Sequence, residues 1–265
     1  MDYLVRNKDI HLFQDNFDLD ETLDCGQAFR WEKASDGKYY GAKMNFPLTL
    51  YKEKDYFVLE NTREEDFLNI WYDYFDLATD YGELKRIYSE DETLCKACGY
   101  ASGIRLLRQD PWESLVSFII SQNNNIPRIK GIISRLCGLY GGFPEPSDMR
   151  GTVPEELEPL RAGFRSKYLC DAAEKVNSGK IDLDKIKGLS PVEGRTALTA
   201  IKGVGPKVAD CTMLYGMYKT DCFPTDVWIK RVLAEYYPNG FPDLPSRGIA
   251  QQYLFHYMRT KQDKE

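Results

Sequence analysis

The stretch that most constrains this chain runs from residue 190 to residue 228, where proline and glycine punctuate two helical segments. Ser190 and Glu193 flank Pro191 in a capping-box pattern, which predicts a helix from Pro191 to about Ile201. Gly203 and Gly205 then break it, and Pro206 in a first helical position predicts a second helix directly behind them. The pattern is helix, tight glycine hairpin, helix. Glycines let a phosphate approach the backbone closely, and the second helix adds partial positive charge at its N-terminal end. Gly203 and Gly205 are therefore candidate contacts for a nucleic-acid phosphate.

Lys207 falls in the first turn of the second helix, where the helix dipole and partial burial disfavour an ammonium. A neutral lysine amine is a nucleophile. Nineteen residues on, Asp226 precedes an apolar helical run in the position of an N-cap. A nucleophilic amine and a fixed carboxylate suit attack on a carbon with developing positive charge, such as the anomeric carbon of a nucleotide losing its base. Each residue alone also reads as an ordinary helix-start lysine or cap.

Together these residues resemble the helix-hairpin-helix DNA glycosylases, in which Gly-Val-Gly-x-Lys-Val-Ala-Asp-Cys carries the lysine nucleophile and a later Thr-Asp or Val-Asp the essential aspartate. The hairpin, Lys207, Cys211 and Asp226 fall in family order. Where that family often has histidine two residues after the aspartate, this chain has Trp228. An indole donates a hydrogen bond but carries no charge, so the DNA contact expected there is weaker or differently placed.

The chain has 265 residues, 43% of them hydrophobic and 29% charged, which is enough for a substantial core in one or two domains. No segment has the pattern of a signal peptide or a membrane span, so a soluble intracellular protein without membrane contact is expected. The net charge of −6 argues against a non-specific DNA coat protein. It leaves room for a DNA enzyme with a local basic face, and several lysines and arginines cluster in sequence near the glycine-rich turns. Seven cysteines and only two histidines, His11 and His256, argue for reduced thiols and against both a metal site and a histidine-dependent hydrolase. Cys95 and Cys98 are a lone pair, and no cysteine follows Asp226.

From Phe13 to Asn61 the pattern is strand-like. Residues 28–32 and 38–42 alternate about a turn at 35–38, and residues 47–51 and 56–60 flank a second turn. Residues 62–74 turn helical and aromatic, as expected of core. One or two further short helices are predicted between Asp80 and Cys98. A second capping-box pattern, Asp110 to Glu113, opens an apolar helix through Ile120, and another helix runs from Pro127 to Tyr140. The expected fold is α+β: a twisted antiparallel sheet domain over residues 1–106, followed by an all-helical helix-hairpin-helix domain over residues 107–265.

Residues 23–31 resemble the Gly-Gln-x-Phe-Arg-Trp segment of eukaryotic-type 8-oxoguanine DNA glycosylases, whose glycine carbonyl contacts the damaged base. That resemblance implies the same role for Gly26. Read without it, Gly26 is a strand-edge bend. Residues 121–128, Ser-Gln-Asn-Asn-Asn-Ile-Pro-Arg, resemble the segment that fills the gap left by the flipped nucleotide, which implies that Asn123 fills and Arg128 reads the opposite base. Phe164 and Arg165 match the second wedge loop, with phenylalanine where tyrosine is usual. Gln251 and Phe255, four apart on the last predicted helix, match the residues at the base's pairing edge and ring face, and Cys211 the residue on its other face.

The resemblance spans residues 18–259. It implies a bifunctional enzyme that excises 8-oxoguanine from double-stranded DNA, preferably opposite cytosine, and then nicks the strand by β-elimination. It also implies that a single chain suffices, that no organic cofactor is required, and that the hairpin binds a monovalent cation. An endonuclease III-like enzyme for oxidised pyrimidines would share Lys207 and Asp226 but lack the sheet domain. A non-catalytic helix-hairpin-helix module would not need both residues.

Overall fold

The computed structural model describes residues 2–261, and they pack as two compact units. The first comprises residues up to Gln27, Trp31–Arg108 and the segment from Thr225 onward; the second comprises Ala28–Arg30 and Gln109–Pro224. The sequence reading divides the chain once, at 106/107. In the structure the break falls after Arg108, and the helices beyond Thr225 pack with the N-terminal unit rather than with the helix-hairpin-helix.

The first unit is built on a six-stranded antiparallel sheet ordered β1-β2-β6-β5-β4-β3. Its strands are β1 (Asp2–Arg6), β2 (Asp9–Phe13), β3 (Glu32–Lys33), β4 (Tyr39–Lys43), β5 (Phe46–Glu53) and β6 (Tyr56–Glu60). β1 and β2 were not predicted. They pair from Asp2 with Phe13 to Arg6 with Asp9, and Asn7 takes the left-handed conformation that a two-residue turn demands. Alternate residues of β2 and β5 point inward, so Ile10, Leu12 and Leu50 are fully buried, while the central β6 buries Phe57, Val58 and Leu59 in succession.

Residues 28–30 depart from expectation, because they are not a strand. Only Glu32 and Lys33 join the sheet, opposite Tyr40 and Tyr39. The alternation of Phe29 and Trp31 arises because each ring is buried in a different unit. Phe29 packs edge-on against Phe118, whereas the Trp31 indole donates to the Tyr74 hydroxyl at 2.8 Å. The aromatic helical stretch is core, as predicted: Phe67, Trp71 and Tyr74 are buried, with a π-helical turn over Phe67–Trp71. The helices Tyr81–Tyr88 and Glu92–Tyr100 follow, capped by Asp80 and Asp91. Arg105, just before the predicted domain boundary, is buried in the first unit. Its guanidinium donates to the carbonyls of Phe75, Asp76 and Thr79 and lies over the Tyr81 ring.

In the second unit the helix Pro111–Ser121 is buried along nearly its whole length, as its apolar composition requires. Asp110 caps it, while Glu113 reaches Arg30 at 3.4 Å. The predicted helix from Pro127 is Ile126–Tyr140, ended by Gly141 in the left-handed conformation. Around these pack Ser166–Asn177, Pro191–Leu198 and Pro206–Cys211, the last continuing as a π-helical turn to Gly216. No helix among the described residues is long and apolar enough to cross a membrane.

Candidate active site and DNA-contacting loops

The hairpin forms as its punctuation predicts. Ser190 and Glu193 make the reciprocal capping box, the first helix ends at Leu198, and Val204 N donates to the Ile201 carbonyl at 3.0 Å to close the turn. Gly203 has φ +78°, and a Cβ there would fall 2.4 Å from the Tyr168 ring, so both conformation and space require glycine. Gly205 is the N-cap of Pro206–Cys211. An ion pair holds the two hairpin helices together: Arg195 Nε lies 2.8 Å from Asp210 Oδ1 and Nη2 3.2 Å from Oδ2. Burial pushes the Asp210 carboxyl up, opposed by the Arg195 charge.

Lys207 is half-buried in the first turn of the second helix, with its Nζ 5.0 Å from the centroid of the Phe118 ring. That ring is fixed by stacking on Tyr215 at 5.2 Å and by the edge contact with Phe29, so the amine rests over a rigid aromatic face. Sequence reasoning missed Phe118, which reads simply as helix core. Cys211 is buried one turn after Lys207.

The two loops expected to enter DNA are joined in the same unit. Asn123 is exposed with φ +47°, and Asn125 caps the following helix by accepting from Arg128 N at 3.0 Å. Phe164 is 45% exposed, as a wedge must be, and stands edge-on to Tyr168 at 5.7 Å. Arg128 is exposed, but Arg165 is buried. Arg165 donates from Nε to Gln122 O at 2.9 Å, from Nη1 to Ala162 O at 3.1 Å, and from Nη2 to Gln122 O and to Asn123 O, the latter at 3.0 Å. Burial, reinforced by the Arg128 charge, pulls this guanidinium below its usual value. The two arginines that sequence treats alike thus differ: Arg165 ties the asparagine loop to the wedge loop, and Arg128 stands outside.

The remaining predicted residues lie in the first unit. Asp226 caps Val227–Tyr236, its Oδ1 accepting from Trp228 N at 3.0 Å and Ile229 N at 2.9 Å. Trp228 is half-buried, and the Arg231 guanidinium lies 5.0 Å from its ring centroid, so a cation stands beside the neutral indole. Gly26 has φ +85° in the loop after the short helix Leu19–Leu23. Gln251 is 3% exposed, and its Oε1 is buried without a hydrogen-bond partner among the described residues. Phe255 is half-buried one turn later on the same helix, Arg247–Lys261. Side chains of that helix reach the carbonyls of Asp24 and Cys25, which places Gln251 and Phe255 on the element that contacts the Gly26 loop. Burial pushes the Cys25 thiol up to about 11.

Cys95 is exposed and Cys98 buried, and among the described residues no group of three or more His, Cys, Asp or Glu side chains could hold a metal ion. The hairpin has no carboxylate between Thr199 and Pro206, and two of its carbonyls accept within the chain, Ala200 O from Lys175 Nζ at 2.7 Å and Ile201 O from Val204 N at 3.0 Å, so neutral oxygens are the donors it would offer a monovalent cation.

Residues 9–115 match the model of the 8-oxoguanine DNA glycosylase N-terminal domain, and residues 116–243 that of HhH-GPD superfamily base excision DNA repair proteins. The chain is 30% identical over 228 residues to the probable N-glycosylase/DNA lyase of Methanothermobacter thermautotrophicus, covering 70% of this chain and 72% of that one. MBOgg1, solved with a low-affinity DNA ligand, superposes with a TM-score of 0.93 at 41% identity, covering 99% of this chain and 100% of that one. The Clostridium acetobutylicum 8-oxoguanine glycosylase/lyase, solved with double-stranded DNA containing cytosine opposite 8-oxoguanine, gives 0.91 at 36% identity and 99% coverage of both chains. The matched N-terminal domain and its sheet remove the endonuclease III-like alternative, which would lack them. The chain belongs to the 8-oxoguanine DNA glycosylase family, the N-glycosylase/DNA lyases of base excision repair.

Proposed function

We propose that the glycosylase/lyase activity of this chain runs through Lys207, and that Gly26 selects the lesion. The damaged nucleotide leaves the duplex, and the Lys207 amine bonds to C1′ as the glycosidic bond breaks. The bond's electron pair leaves with the base, which takes up a proton, and Asp226 stabilises the positive charge developing on the sugar. Opening of the sugar ring gives a Schiff base, and loss of a C2′ proton then expels the 3′ phosphate. The observation that carries this reading is the placement of Lys207 at the start of the second hairpin helix, with its amine over the Phe118 ring. The hairpin amides of Gly203 and Gly205 and the Arg231 guanidinium beside Trp228 are assigned to DNA phosphates. Hairpin carbonyls between Thr199 and Pro206 would hold a monovalent cation, which would supply positive charge to a phosphate. We assign the activity to a single chain.

Selectivity follows from what oxidation does to the purine. Guanine N7 is an acceptor, whereas the lesion carries a hydrogen there and donates. A backbone carbonyl only accepts, so the Gly26 carbonyl matches the lesion and opposes guanine. An unmet buried polar group costs about 1–3 kcal/mol, which supplies roughly 5- to 150-fold discrimination. Duplexes carrying 8-methoxyguanine, which keeps an oxygen at C8 but leaves N7 an acceptor, should be cleaved far more slowly than 8-oxoguanine. Gly26→Ala forces a side chain into φ +85° and should lower lesion excision while sparing lyase activity on preformed abasic sites. Equal excision rates on the two bases would remove the carbonyl from the mechanism.

Opposite the lesion, the exposed Arg128 is assigned to cytosine, and Arg165 to holding the Asn123 loop in place. Cytosine opposite the lesion in the Clostridium complex supports this preference. Arg128→Ala should flatten the ranking of the four opposite bases by slowing excision opposite cytosine and leaving the other three rates nearly unchanged, because a base-edge contact is worth about 1–3 kcal/mol. Single-turnover rates on the four duplexes measure both quantities.

A further inference from the structure

The loop around Gly26 is held on both sides: before it by side chains 235 and 227 residues away in sequence, and after it by the side chain of Gln27. The Asp24 carbonyl accepts from Arg259 Nη2 at 3.1 Å, and the Cys25 carbonyl from Gln252 Nε2 at 3.3 Å. On the other side of Gly26, Gln27 is fully buried. Its Nε2 donates to Thr22 O at 2.9 Å and Arg105 O at 2.8 Å, and its Oε1 accepts from Leu107 N at 2.9 Å. Gln252 is 1% exposed and lies one turn before Phe255, while the Arg259 guanidinium lies 5.6 Å from the Phe255 ring centroid. One face of the helix Arg247–Lys261 thus touches both the loop and the ring assigned to the base.

The direction of the Gly26 carbonyl depends on the two peptide planes that flank its α-carbon. Glycine restricts neither torsion, so only contacts on both sides define where that oxygen points. Gln27 holds the following plane, and the preceding plane is the one whose oxygen Gln252 grips. We infer that Gln252, with Arg259 behind it, is a specificity-determining positioning residue that aims the Gly26 carbonyl at the N7 edge of the flipped purine. This inference rests on the proposed role of Gly26. Hydrogen bonds weaken steeply as their angle falls below about 120°, so a carbonyl released on one side loses the N7–H contact and also relaxes its opposition to an N7 lone pair.

The test compares excision of 8-oxoguanine, excision of 8-methoxyguanine and lyase activity on preformed abasic sites. Gln252→Leu should lower 8-oxoguanine excision about 10-fold, as expected for one well-placed hydrogen bond. It should leave 8-methoxyguanine excision undiminished and lyase activity within about 2-fold, so the ratio of the two excision rates drops about 10-fold. Arg259→Leu should lower the same ratio, and Arg259→Lys, which keeps a charged donor, should restore most of it. A Gln252 that merely supports the fold would reduce all three activities in proportion and leave the ratio at its wild-type value, and that result overturns the inference. If Gln252→Leu does not fold, Gln252→Met, a flexible apolar side chain of similar length, carries the same comparison. A wild-type protein that treats the two bases alike refutes the role of Gly26 itself, before any Gln252 variant is made.

Discussion

Lys207→Gln is expected to bind lesion-containing duplex with nearly wild-type affinity, yet to yield no borohydride-trapped adduct and no base release above on the order of one part in a thousand of the wild-type rate. Glutamine keeps most of the length and polarity of lysine but has no nucleophilic amine. The substitution removes only the contact of the Lys207 amine with the Phe118 ring at a half-buried site, so the fold should tolerate it. Binding should survive because the groups assigned to DNA phosphates, the hairpin amides at Gly203 and Gly205 and the Arg231 guanidinium, are untouched. An undiminished adduct in the variant would mean that another amine forms the Schiff base. Phe118→Leu in parallel separates the ring's contribution, since it leaves the amine in place.

The second large effect is expected from Asp226→Asn. Asparagine is also a favoured N-cap, so the bonds from Trp228 N and Ile229 N are retained and the helix Val227–Tyr236 stays capped. The lost negative charge at a helix start costs about 0.3–1 kcal/mol of stability, visible as a small drop in melting temperature. Base release should slow much more, by roughly 10²- to 10³-fold, because one preorganised electrostatic contact to a developing charge is worth about 3–4 kcal/mol. Lyase activity on preformed abasic sites should fall far less, since no glycosidic bond has to break. Equal slowing of both steps would place Asp226 in the later chemistry instead.

The parts of the molecule legible in the sequence are those written in local chemistry. Proline and glycine set both ends of the hairpin, and Asp226 announces itself as a cap because the bonds it accepts are two and three residues away. The helices from Asp80 to Tyr140 follow from caps and apolar spacing in the same way. Residues 28–30 misled because alternation is a local pattern, while the burial of Phe29 and Trp31 has two separate causes. β1 was missed because four of its five residues are exposed, which leaves no alternation to find. The buried role of Arg165 was invisible for a different reason: the bonds that tie it to the asparagine loop go to the carbonyls of Gln122 and Asn123, 43 and 42 residues away, and any sequence supplies carbonyls. Gln252 was overlooked beside Gln251 because nothing local distinguishes the glutamine that holds the loop from the one whose oxygen has no hydrogen-bond partner among the described residues.

The return of the segment from Thr225 onward to the N-terminal unit has a consequence for the order in which competence is acquired. Gln252 meets Cys25 across 227 residues of sequence, and Arg259 meets Asp24 across 235. Contacts of such high order are entropically the most expensive to close and tend to form late, whereas the hairpin that carries Lys207 is held by contacts within a few dozen residues. On a ribosome, the whole second unit emerges before the helix that steadies residues 24–27. The residue proposed as nucleophile is therefore in place before the Asp226 cap and before the helix proposed to aim the Gly26 carbonyl, both of which arrive with the segment from Thr225 onward.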